Sequence, residues 1–149
     1  MWFYPNNDPR ELPPLVLAYI GDAVYELYVR SFLVAQGKLK VNKLHQETTG
    51  LVNAGAQARY LHQMEDILTE EEKGVARRGR NVKTTHVPKN ADMIDYHLST
   101  GFEALIGYLF LAGQEERLNR IMGELFKLAY SIDSQGKEAP DSQEKAAKR

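Results

Sequence analysis

Apolar residues recur at helical three- and four-residue spacing along most of the chain, and no stretch alternates convincingly as a strand, so the pattern predicts an all-α fold. The first long helix runs from Pro13 or Pro14 to about Gln36, with proline suited to its first turn and Gly37 as its stop. The segment VNKLHQETTGLVNAGAQARYLHQM predicts two shorter helices broken near Thr49 and Gly50. In TEEEKGVARRGR, Thr69 reads as an N-cap, with acids in the first turn where the helix dipole favours them. NVKTTHVPKN reads as a loop with Pro88 as its breaker. A second long helix is expected from about Ala91 to Ala112, and after Gly113 an amphipathic helix to about Tyr130. The segment DSQGKEAPDSQEKAAKR has no apolar residue larger than alanine and predicts a disordered tail. The expected organisation is therefore one folded unit, residues 1–130, and a tail, residues 131–149.

Composition agrees with one domain: 149 residues, 43% hydrophobic and 26% charged, are enough to bury a core. Cysteine is absent, which excludes a disulfide framework and thiolate chemistry and suits a reducing compartment, with the cytoplasm as the default. The opening MWFYPNNDPRELPP lacks the plan of an export signal, and no apolar run reaches the ~18 residues of a transmembrane candidate, so no membrane association is expected.

Net charge is only −1, but it is unevenly distributed. Lys73, Arg77, Arg78, Arg80, Lys83 and Lys89 fall in one segment without an acid, leaving 13 of the 19 basic residues against all 20 acidic ones elsewhere. A cationic segment on an acidic body points to a localised phosphate contact. Exposed loop cations that touch nothing remain the plainer alternative. Duplex RNA is read largely by shape through phosphates and 2′-hydroxyls, so clamps such as Arg77, Arg78, Arg80 and Lys83 would suffice without base-reading aromatics.

The candidate chemistry lies in two solitary acids on the two long helices. On the first, Asp22, Glu26 and Arg30 form a narrow polar stripe at i, i+4 and i+8 in otherwise apolar surroundings. Its plainer meaning is the wetter edge of a core helix with an ordinary Glu26–Arg30 pair. Against that, Asp22 and Glu26 are like charges one turn apart, a pairing that a bound cation would reverse. On the second, Glu103 is the only charged residue between Asp95 and Glu115, with Ser99, Thr100 and Gly107 one turn away. Small neighbours admit another helix, a metal or a phosphate, and a carboxylate bonded to a hydroxyl is the structural alternative. Hard divalent cations favour carboxylate oxygens, so the two acids look like half of a magnesium site. His45, His62, His86 and His97 show no ligand spacing, and no P-loop, nucleophile elbow or dinucleotide fingerprint is present.

These residues carry a resemblance. Tyr19-Ile20-Gly21-Asp22-Ala23 resembles the signature of the ribonuclease III family, and FEALIGYLFL, Phe102 to Leu111, is similar to that family's second helix. Both occur in the family's order, and the resemblance covers roughly Leu15 to Tyr130. It departs at two acids: Ala18 stands four residues before Asp22 where ordinary members carry glutamate, and Thr100 stands three before Glu103 where they carry aspartate. About 19 residues after Tyr130 are too few for a double-stranded-RNA-binding domain. With RRGRNVK and YHLSTGFEALIGYL, these departures look like the small Mini-ribonuclease III branch.

The resemblance implies a ribonuclease III endonuclease-domain fold and a homodimeric, Mg2+-dependent endoribonuclease cutting double-stranded RNA, with precursor 23S ribosomal RNA as substrate. It implies Asp22 and Glu103 as metal-holding catalytic residues, Tyr19 at the dimer interface, and 5′-phosphate products. Glu26 is the candidate to compensate for the missing acids, and a large-subunit ribosomal protein is a candidate accessory partner. The rival readings are a non-catalytic RNA-binding or ribosome-assembly module that lost its chemistry with those acids, and a plain helical interaction domain.

Overall fold

The computed structural model describes residues 2–83, 88, 89 and 91–130; His86 and the expected tail lie outside them. Among the described residues six helices follow one another: α1 (Pro14–Ala35), α2 (Val41–Val52), α3 (Ala54–Gln63), α4 (Glu70–Arg80), α5 (Met93–Leu111) and α6 (Glu115–Tyr130). Single 3-10 turns at Pro9–Glu11 and Glu65–Ile67 complete the secondary structure, and no strand occurs among the described residues. The all-α expectation holds.

Local chemistry accounts for most boundaries. Pro14 opens α1, and Gly37, at φ 84°, follows its end. Thr69 caps α4 in a full capping box: its hydroxyl accepts from Glu72 N–H while the Glu72 carboxylate accepts from Thr69 N–H. Asp92 caps α5 by accepting from Asp95 N–H. The expected break near Thr49 and Gly50 is displaced. Gly50 lies inside α2, and the break falls at Asn53, whose side chain accepts from Ala56 N–H to start α3 and donates back to Thr49 O. An exposed mid-helix glycine is tolerated, whereas a side chain serving both helix ends fixes the corner.

Helix α5 is the central element, packed against α1, α3, α4 and α6. Leu17, Tyr25, Val29 and Leu33 of α1 meet Phe102, Leu105, Ile106 and Leu109 of α5 in one core, joined by Ile121, Met122 and Leu125 of α6. Tyr25 stacks edge-on with Phe102, and its hydroxyl donates to Leu51 O, so the buried ring leaves no unmet donor. Arg117 of α6 donates to both carboxylate oxygens of the nearly buried Glu72 and to Ile67 O, tying α6 to the start of α4. Burial pushes the Glu72 carboxyl up, but the bonds and charge of Arg117 and the bonds from Thr69 outweigh it and leave it lowered.

Two helix crossings bring backbone against backbone. A Cβ on Gly21 would stand 1.7 Å from the Glu103 carbonyl oxygen, and one on Gly107 would stand 1.9 Å from that of Leu17. Where α4 crosses α5, a Cβ on Gly101 would stand 2.5 Å from Ala76 O, and one on Gly79 would stand 2.9 Å from the Gly101 Cα. No larger residue fits these four positions without moving a helix.

Candidate active site

The α1–α5 crossing sets the site. Gly21 rests on the Glu103 backbone, and the next residue, Asp22, is near enough for its charge to act on the Glu103 carboxyl. Asp22 is exposed, not enclosed in the apolar surroundings its sequence neighbours imply, and Glu103 is half-buried. Burial, and then the nearby Asp22 charge, push the Glu103 carboxyl up to about 7, against a smaller opposing effect of the Gln57 side chain. Asp22 is raised too, by burial and then by Glu26. A cation beside Asp22 would relieve the charge that raises Glu103, and magnesium is satisfied by one or two protein carboxylates with water and phosphate completing its shell. The donor set fits that ion.

Glu26 is half-buried on the Asp22 side of the site and pairs with Arg30 at 3.5 Å, the ordinary i,i+4 contact. It acts on Asp22 but is absent from the charges that shift Glu103. The positions of the missing acids supply no oxygen of equal strength: Ala18 is buried in the core, and the Thr100 hydroxyl donates within its own helix to Tyr96 O at 3.1 Å. Among the described residues no three acidic or histidine side chains form a metal-holding cluster. The small residues beside the two acids, read from the sequence as room for a helix, a metal or a phosphate, admit helices: Gly21 and Gly107 are filled by the opposite backbone.

Arg77, Arg78 and Arg80 are exposed in the last turn of α4, and Lys83 is exposed just beyond it. Gly79 is helical and buried against α5. That packing fixes the basic helix end beside Gly101, two residues before Glu103. Arg77 and Arg80 also line a groove of about 400 Å³ with Lys73, His62, Glu65 and Asp66, a feature to which neither Asp22 nor Glu103 contributes. The described histidines add nothing to the two acids: His62 approaches Glu65 at 3.9 Å on the surface, and His97 stacks edge-on against Tyr96.

One buried polar residue escaped the sequence reading. Gln57 of α3 is 1% exposed; its Nε2 donates to Val52 O at 3.1 Å, and its Oε1 is buried without a partner. The only trace in the sequence is an amide on the helical face that also carries Tyr60, Leu61 and Met64.

Residues 15–114, spanning both long helices and both acids, match the ribonuclease III domain. The chain belongs to the ribonuclease III family. Its relatives include proteins named Mini-ribonuclease 3: that of Symbiobacterium thermophilum is 53% identical over 115 residues, covering 77% of this chain and 88% of the relative. The Clostridium tetani protein is 44% identical over 133 residues, covering 89% and 87% respectively. A crystal structure of a Fusobacterium nucleatum protein superposes with a TM-score of 0.72 at 30% identity, over 82% of this chain and 98% of that one. The ribonuclease III fold expected from the two motifs is thus the fold observed.

Proposed function

We propose that this chain, an endoribonuclease of the ribonuclease III family, is a magnesium-dependent homodimer that cuts double-stranded RNA and matures the precursor of 23S ribosomal RNA in the cytoplasm. The observation that carries the reading is the convergence of Asp22 and Glu103 from α1 and α5, with each carboxyl raised and the Asp22 charge contributing to the rise at Glu103. The catalytic unit is residues 1–130.

In this reading Asp22 and Glu103 hold magnesium, directly or through water, with Glu26 as an outer partner on the Asp22 side. Bound there, the metal lowers the pKa of a water molecule and offsets charge on the scissile phosphate and the leaving oxygen. The α1–α5 packing keeps the two carboxylates in register before RNA arrives. Arg77, Arg78, Arg80 and Lys83 receive backbone phosphates, and the Gly79–Gly101 contact fixes the distance between that cationic helix end and Glu103. The products carry a 5′-phosphate and a 3′-hydroxyl. Helix α1 leaves Val16, Tyr19, Leu27 and Val34 exposed along one side, Tyr19 by 78%. Such an apolar stripe supports a two-fold interface, in which every contact occurs twice and two sites cut opposite strands. A large-subunit ribosomal protein is the proposed accessory partner on the ribosomal precursor.

The test is a labelled RNA duplex incubated with purified protein, with and without magnesium. Wild type should cut it only with the metal, and Asp22→Asn or Glu103→Gln should cut orders of magnitude more slowly while remaining folded. A duplex that is bound but left intact by wild type would select the non-catalytic RNA-binding module, and near-normal cleavage by a variant would remove that residue from the site.

A further inference from the structure

The basic residues of α4 do not form one surface. Lys73, Arg77 and Arg80, spaced i, i+4 and i+7, share a helical face and line the groove of about 400 Å³, whereas Arg78 is not among its lining residues. The acids of the same groove, Glu65 and Asp66, come from the 3-10 turn at Glu65–Ile67. The nearly buried Leu61, Leu68 and Ala76 and the half-buried Leu98 make its apolar floor. Charges of opposite sign in one groove attract, yet among the described residues no ion pair spans it: Lys73 meets Glu70 of its own helix at 3.5 Å, and Glu65 meets His62 at 3.9 Å. The fold holds the acidic and basic sides in place. Only Leu68 and Thr69 separate the turn from α4, the Thr69 capping box starts the helix, and Arg117 bonds both Glu72 and Ile67 O. The groove therefore offers a ligand both signs of charge without prior rearrangement.

We propose that this groove seats one unpaired nucleotide of the RNA substrate, its phosphate on Lys73, Arg77 and Arg80 and its base edge on Glu65 and Asp66. The inference rests on the reading of the α4 end as an RNA contact and adds a position where a base, not the backbone, is recognised. The chemistry of the groove selects this ligand. A volume of about 400 Å³ suits a single small molecule and is far too small for a duplex. A duplex backbone presents only negative charge, which the two carboxylates would repel, whereas a nucleotide presents an anion at one end and amino donors at the other. Its base face covers the leucines, and the exposed His62 ring in the lining can stack on it. Carboxylates accept from the amino group of cytosine but meet a carbonyl oxygen at the same position of uracil, so the groove should discriminate between these two pyrimidines. Phosphate clamps orient RNA without reading sequence, and a seated base supplies the register they lack.

The test measures binding, in calcium and so without cutting, of three otherwise identical RNA duplexes: one fully paired, one with a single bulged cytidine and one with a single bulged uridine. Wild type should bind the bulged-cytidine duplex about fivefold to tenfold more tightly than the bulged-uridine one. Glu65→Ala combined with Asp66→Ala removes two exposed negative charges, so affinity for all three duplexes should rise while the preference for cytidine falls to near unity. Lys73→Ala, on the phosphate side, should weaken both bulged duplexes more than the paired one and serves if the double variant does not fold. Equal binding of the two bulged duplexes by wild type, or a preference that survives in the double variant, overturns the inference, while binding of all three leaves the RNA reading of α4 standing. Cytidine 5′-monophosphate, titrated separately, distinguishes the source of the nucleotide. Its binding to wild type and loss in the double variant, with no preference between the bulged duplexes, would give the groove to a free nucleotide and overturn the RNA assignment. If wild type binds none of the duplexes, the RNA reading fails and the inference with it.

Discussion

Gly21 and Glu103 meet backbone to backbone: a Cβ on the glycine would stand 1.7 Å from the carbonyl oxygen of the glutamate. The contact that holds α1 on α5 is therefore one residue from one proposed metal-holding acid and made by the backbone of the other. Gly21→Ala should separate the helices, costing more than about 4 kcal/mol despite the better helix propensity of alanine. Gly50→Ala is the control, because nothing lies within 4 Å of a Cβ there. If Gly50 is helical as observed, that change should stabilise by roughly 0.5–1 kcal/mol. Denaturant midpoints of both variants decide the matter, and a Gly21→Ala protein as stable as wild type would refute the close crossing.

The raised Glu103 carboxyl sets a pH dependence. With its pKa pushed up to about 7 by burial and by Asp22, the folded protein holds a proton that the unfolded chain has released over the interval from the ordinary glutamate value of 4.5. Metal-free stability should therefore fall as pH rises from about 4.5 to about 7, by on the order of 3 kcal/mol from this group, and level off above. Glu103→Gln should remove most of that slope. Magnesium affinity should run the other way, rising with pH until Glu103 is ionised. Thermal unfolding from pH 5 to 8, with and without magnesium, would show both trends, and an identical slope in Glu103→Gln would contradict the assignment.

The exposed stripe on α1 gives an assembly prediction. Tyr19→Asp places a charge where the proposed two-fold axis would bury a ring, and since each side chain counts twice, one substitution should dissociate the dimer. Sedimentation at micromolar concentration should find wild type as a dimer and the variant as a monomer. A monomeric wild type would remove the interface from the proposal.

Phosphate binding and chemistry should separate at the end of α4. Arg78→Ala combined with Arg80→Ala should weaken affinity for any duplex, and each lost contact should flatten the salt dependence by roughly one unit or a little less. Calcium can stand in for magnesium in the binding measurement, and single-turnover cutting at saturating protein in magnesium should change much less. An unchanged salt slope would make the arginines a solvated helix end, where cations also complement the helix dipole. Normal affinity with a collapsed rate would put them at the reacting phosphate instead.

The sequence by itself determined the six-helix plan, the cap at Thr69, and the placing of Asp22 and Glu103 on separate long helices. Helical periodicity and capping are settled among residues within a turn or two, so they are written in short stretches of chain. The break at Asn53 was missed because Gly50 is a weak local breaker, and a side chain bonded to both helix ends outweighs it. Only the tertiary structure decided what the glycines face. Gly21 and Gly107 read equally well as room for a helix or for a ligand, and each, like Gly79 and Gly101, is filled by a helix brought from elsewhere in the chain. Gln57 was silent for the same reason: its burial is decided by helices brought against α3 from elsewhere in the chain. The upward shift of Glu103 likewise arises from burial and from the charge of Asp22 on another helix. Periodicity states which side of a helix turns inward, whereas the identity of what meets it there depends on long-range packing that no local pattern encodes.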